Sequence, residues 1–116
     1  ELMCKRGEVN HFEYVVVLVT VSSDEEAGKI TNELLEKRKA ACINIIPSVI
    51  SQFWWDGRID RSDELLLLIK TRLSAVPELV QIIKGLHSYT VPEIVVLPII
   101  QGNEDYLRWI EREVRA

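Results

Sequence analysis

The 116-residue sequence is short of several features that would assign it a chemistry at once. Its two cysteines, Cys4 and Cys42, are too few for a disulfide framework and fit a reducing compartment. Cys42 opens an apolar run and reads as a small buried hydrophobe. With two histidines, and with neither Cys-x-x-Cys nor His-x-x-x-His present, the usual structural zinc spacings are excluded. There is no glycine-rich phosphate loop and no Gly-x-Ser-x-Gly, and no Cys–His pair can be placed together, so an enzyme reading has no anchor. Basic charge does not dominate. Fourteen Lys and Arg against eighteen Asp and Glu leave a net charge of −4, the wrong sign for a nucleic-acid binder or a protein held on anionic lipid. No run of about 18 apolar residues occurs, which argues against a membrane-inserted helix. Residues 1–13 carry no basic region followed by an apolar stretch. They read as a flexible N-terminal tail rather than an intact signal peptide, with Glu1 in place of Met suggesting a trimmed start.

What remains is an ordinary globular composition, 47% hydrophobic and 28% charged, enough for one core within residues 14–116. Tyr14–Val21 is a β-branched run apolar on both faces. Ser23-Asp24-Glu25-Glu26 forms a capping-box pattern, in which the Ser hydroxyl and the Glu carboxylate satisfy each other's free amides. Ala27, Ile30, Leu34 and Ala41 continue at helical spacing, predicting a helix from about Asp24 to Lys39. Cys42–Ile46 reads as a strand. Pro47 interrupts its ladder and implies a bulge or an edge, and the strand resumes over Val49–Trp55. Asp56-Gly57 then gives the strongest short-range hairpin signal, since a type I′ turn needs positive φ at both central residues. The return strand covers Arg58–Arg72. Ser74 caps a second predicted helix that tolerates Pro77 in its first turn, buries Val76, Leu79, Val80, Ile83 and Leu86, and ends near His87. Ile94–Leu97 is a fourth strand, and Gly102-Asn103 starts a third helix with Leu107, Ile110 and Val114 inward.

The order β-α-β-β-α-β is the ferredoxin-like one, an α+β fold with both crossover helices on one face of a four-stranded sheet. Three strands are nevertheless apolar at consecutive positions, and the C-terminal helix is too short to cover a second face. The hairpin arms, about 14 residues each, span roughly 45 Å and overshoot a first strand of about eight residues. Phe53, Trp54 and Trp55 lie near the overshooting tip, an aggregation hazard unless a partner subunit covers them. A homo-oligomer follows, with these three aromatics at its interface.

Five segments carry a family likeness: residues 36–44 (EKRKAACIN), 55–59 (WDGRI), 69–71 (IKT), 87–93 (HSYTVPE) and 102–109 (GNEDYLRW). In this order and at these separations the chain resembles the CutA family of divalent-cation tolerance proteins over roughly residues 14–113. The resemblance implies a ferredoxin-like subunit, a homotrimer whose long hairpins extend neighbouring sheets, and a cytoplasmic role linked to copper and other divalent metals. It also implies a copper ligand at His87, the histidine that opens the H-x-Y-x-x-P-E segment. Imidazole suits Cu(II), and Glu93 is the carboxylate closest in sequence to complete such a site. A helix C-cap is the alternative role for His87. Some family members carry a cysteine in the first strand. Val15–Thr20 has none, which argues against a sulfur-rich copper site.

A second candidate is a cleft containing Lys70, Tyr89, Glu93, Tyr106 and Trp109. Lys70 follows a leucine-rich run, so its ammonium needs a partner, and Glu93 is a suitable one. Such a cleft, shared between subunits, would suit a small anionic metabolite, as in the structurally similar PII signalling proteins. A salt bridge fixing the trimer register is the structural alternative. Asp56, Asp60, Asp63 and Glu64 read as a solvated acidic edge. Acylphosphatases share the topology but need an arginine-bearing anion loop after the first strand, where Val21-Ser22-Ser23 stands. RNA-recognition domains display aromatics in a basic setting, where these strands display valine and leucine. The leading expectation is a non-enzymatic, trimeric protein that binds Cu(II) or another divalent cation weakly, with a metabolite sensor or a stable trimeric scaffold as the rivals.

Overall fold

The computed structural model describes residues 12–115. Cys4, His11 and most of the expected tail 1–13 lie outside the described residues. Four strands and three helices follow the expected order: β1 Tyr14–Val21, α1 Asp24–Glu36, β2 Cys42–Trp55, β3 Arg58–Arg72, α2 Val76–Leu86, β4 Ile94–Pro98 and α3 Glu104–Glu113. The sheet is antiparallel throughout, ordered β2-β3-β1-β4, which is the ferredoxin-like arrangement.

Strand period explains the core. Val15, Val17, Val19 and Val21 stand opposite Thr71, Ile69, Leu67 and Leu65 in register, so all eight project to one face. There they meet Ile30 and Leu34 of α1 and Leu79 and Ile83 of α2, all fully buried. The alternate positions Val16, Leu18, Leu66 and Leu68 are only half-buried, and Val95 and Leu97 on β4 are exposed. At one end, Ile110 of α3 and its C-cap Val114 pack with Ala75, Tyr14 and Ala41 as a second small cluster. Among the described residues nothing covers the remainder of this apolar second face.

The hairpin behaves as its sequence requires. Asp56 and Gly57 have φ of 54° and 75°, and Trp55 pairs with Arg58. The register shifts between Ile46 and Val49, where Pro47 cannot donate to the ladder. Beyond that bulge, among the described residues, Val49–Trp55 pairs only with Arg58–Glu64, because β1 stops opposite Leu65. This two-stranded ribbon carries exposed Ile50, Phe53 and Ile59, with Trp54 72% and Trp55 59% exposed.

Three local expectations need correction. α1 ends at Glu36 rather than Lys39, because Arg38 turns left-handed at φ 61°. Lys39 N then donates to Leu34 O and Arg38 N to Leu35 O, the two bonds of a Schellman stop built on arginine instead of glycine. Ser74 does not cap α2. It lies in a 3₁₀ turn, Leu73–Ala75, that leads directly into the helix, whose N-cap is Ala75 with no side-chain bond. Leu86 is exposed rather than part of the buried stripe, since the helix stops there and its last turn leaves the sheet.

Candidate functional site

The root of the hairpin, the end of β1, the start of α1 and loop 87–93 converge at one end of the sheet. Glu26 is the hub. Ser23 Oγ accepts from Glu26 N at 3.1 Å, as the capping pattern predicts, but the carboxylate does not reach back to Ser23. It accepts instead from Ser22 N (3.3 Å), Ser22 Oγ (3.0 Å), Ser88 N (2.6 Å) and Ser88 Oγ (3.2 Å). Burial alone would raise this carboxyl's pKa. The amide donors of Ser88 and Ser22 outweigh it and hold the group below the ordinary glutamate value.

His87, the C-cap of α2, has a side chain with no solvent exposure. Its Nε2 lies 2.7 Å from Thr20 O, and Tyr89 N donates to Nδ1 at 3.0 Å. A carbonyl only accepts and an amide N–H only donates, so Nε2 carries the proton and Nδ1 presents the lone pair. Both nitrogens are thereby committed. Glu26 Oε2 stands 3.3 Å from Nδ1. Tyr89 stacks at a tilt on His87, with ring centroids 4.8 Å apart, and its hydroxyl donates to Glu64 Oε2 at 2.7 Å. Burial first, and then this contact with Glu64, raises the Tyr89 hydroxyl pKa above the usual tyrosine value.

Glu64 is 6% exposed, whereas Asp56, Asp60 and Asp63 are exposed, so the acidic edge is a solvated run with one buried member. Glu64 and Tyr89 form part of an open cleft of about 870 Å³, bounded also by Ile50, Phe53, Trp55, Asp60 and the exposed Glu93. The residues expected to share one cleft fall into two groups. Tyr89 and Glu93 are here. Lys70, Tyr106 and Trp109 sit at the opposite end, and Lys70 is six residues from Glu64, roughly 20 Å along β3. Lys70 Nζ contacts Asn44 Oδ1 rather than Glu93. Tyr106 packs on Trp109 with centroids 5.5 Å apart, and burial followed by the nearby Cys42 thiol raises its hydroxyl pKa.

This geometry bears directly on a metal. A ligating imidazole needs a free lone pair, and His87 has none on offer while Thr20 and Tyr89 hold it. The carboxylate beside it is Glu26, already saturated with donors. Among the described residues no three His, Cys, Asp or Glu side chains converge where an ion could sit. His87 and Glu93 as arranged in this subunit do not fit a copper pair. The sequence assigns no site role to Glu26, Ser22 or Ser88, and it reads Glu64 only as part of a solvated acidic edge. The only signal for Glu26 was its place in the capping pattern, and that pattern accounted for it fully.

Comparison with known proteins is consistent over nearly the whole described length. The family described as "CutA1 divalent ion tolerance protein" matches residues 15–113. The "Divalent-cation tolerance protein CutA" of Thermus thermophilus is 52% identical over 95 residues, covering 82% of this chain and 92% of that one. "Protein CutA 1, chloroplastic" of Oryza sativa is 40% identical over 87% of this chain, which spans 57% of that longer protein. A solved structure of the Thermus thermophilus divalent cation tolerance protein superposes with a TM-score of 0.86 at 48% identity, covering 88% of this chain and 99% of that chain.

Proposed function

The chain belongs to the CutA1 divalent ion tolerance family, and from that premise we propose that it is a non-enzymatic, homotrimeric divalent-cation tolerance protein of the cytoplasm. The observation that carries the assembly is the ribbon beyond the Ile46/Val49 bulge, which among the described residues has no third strand beside it and exposes Phe53, Trp54 and Trp55. The uncovered second face of the sheet supports the same reading, because apolar β-surface of this extent is covered by a partner in stable proteins. Light scattering in dilute solution tests it. A mass three times the 13.4 kDa chain is expected, and a stable 13.4 kDa species would sink the proposal.

Divalent ions, Cu(II) among them, meet this trimer weakly and through oxygen ligands. The support is the availability of Glu93, an exposed carboxylate at the cleft, beside a His87 whose nitrogens are occupied. Isothermal titration with Cu(II) should give weak binding that Glu93→Gln reduces several-fold. Identical affinity in the variant removes Glu93 from the site. A second reading, a sensor for a small anion, is favoured by Lys70 gathered near Tyr106 and Trp109 at the far end of the sheet. A thermal-shift screen with no metabolite hit above the metal controls counts against it.

A further inference from the structure

We infer that His87 is not a metal ligand of this protein but one half of a latch, with Glu26 as the other, that fixes loop 87–93 onto β1 and α1. Four observations lead there independently of any bound ion. The His87 side chain is fully buried, whereas the carboxylate expected to join it, Glu93, is exposed. Its Nε2 is spent on the carbonyl of Thr20, at the end of a core strand. Its Nδ1 is spent on the amide of Tyr89, and the preceding amide, Ser88, is spent on Glu26. Consecutive backbone N–H groups are thus held by two side chains whose positions are set by different helices.

The latch has a readable purpose. Loop 87–93 supplies Tyr89 and Glu93 to the cleft, and the Tyr89 hydroxyl reaches Glu64 at the root of the hairpin. A seven-residue loop without regular structure would otherwise sample many conformations. Glu26 and His87 remove that freedom before any ligand or neighbouring subunit arrives. An ion taking Nε2 would have to strip the buried Thr20 carbonyl of its donor. One taking Nδ1 would release Tyr89 and, with it, the bond to Glu64. Metal capture at His87 and an intact cleft wall therefore exclude each other.

The wild-type protein provides the first test. With only two histidines, a His11→Gln chain isolates the His87 ring in long-range ¹H–¹⁵N spectra. The expected pattern is the Nε2–H tautomer, unchanged when Zn(II) is added as a diamagnetic probe at concentrations that perturb carboxylate-bearing residues. Loss of the Nε2 proton, or a metal-dependent shift of either ring nitrogen, overturns the proposal. A second test uses Glu26→Gln, His87→Gln and the double variant, read by amide hydrogen exchange at Ser88 and Tyr89 and by Cu(II) titration. Each single change should speed exchange at least tenfold, and the two should change copper affinity by the same factor within twofold. The double variant should exchange no faster than the faster single one, because either change already opens the latch. Copper affinity that drops tenfold in His87→Gln but not in Glu26→Gln assigns the ring to the metal and overturns the inference. Exchange effects that multiply in the double variant do the same for the coupling.

Discussion

The two ends of the ribbon that β2 and β3 form beyond the Ile46/Val49 bulge are built on opposite principles. At its root, Glu64, Tyr89, Ser88, Glu26 and His87 form a chain of short hydrogen bonds in which buried polar atoms find partners within the subunit. At its tip, Trp54, Trp55 and Ile59 are large apolar side chains with little to touch. A buried polar group left unpaired costs about 1–3 kcal/mol, so the root has to be completed by the chain itself. Exposed apolar area costs nothing comparable until it meets another surface, where burial returns about 25 cal/mol per Å². The root is therefore a device of folding and the tip, in the proposed trimer, a device of association.

Replacing Trp54 and Trp55 together by Asp should have the largest effect. The assembled species is expected to fall to the 13.4 kDa subunit in light scattering while far-ultraviolet circular dichroism keeps its shape. An unchanged mass would break the contrast at its stronger side. At the root, Glu26→Ala leaves Ser22 and Ser88 donors without acceptors, and should cost about 3 kcal/mol in denaturant unfolding with the mass of the native species unchanged. Gly57→Ala puts a Cβ at φ 75° and should cost about 1–2 kcal/mol, although nothing lies within 4 Å to clash with it. A loss far larger than that would mean the turn contacts something else in the assembly.

The smallest effect concerns pH. The Glu26 carboxyl is held below its unfolded value, so the folded state binds this proton less readily than the unfolded one. Its contribution is complete above the ordinary glutamate pKa of about 4.3 and is lost as pH falls through the depressed folded value. Unfolding midpoints should decline on acidification through that window, and the decline should be shallower in Glu26→Gln. Equal slopes would mean that other carboxylates set the acid limit.

The same contrast explains what could be read in the sequence. The tip was legible because its signals are local. Asp56-Gly57 sets two positive φ values, Pro47 marks the bulge, and three adjacent aromatics advertise themselves. The root was not, because Glu26 and Ser88 are 62 residues apart and each had a sufficient local explanation. Ser23 did cap α1, which concealed that the carboxylate three residues later serves another segment. Arg38 escaped notice for a related reason. A left-handed stop is announced by glycine, and here it is an arginine whose guanidinium reaches Glu113 at 2.6 Å and whose carbonyl accepts from Arg115 N. Within one subunit Lys70 and Glu93 have complementary charge but lie at different ends of the sheet, since sequence shows charge without showing which end of a strand it occupies.

The bulge between Ile46 and Val49 separates the ribbon from every register that matters to the core. Residues added or removed in equal numbers on both arms, between the bulge and the Asp56-Gly57 turn, would lengthen or shorten the ribbon without moving a single interior valine. In the proposed trimer, how far one subunit reaches over another is thus a length the chain can vary while its own packing stays constant.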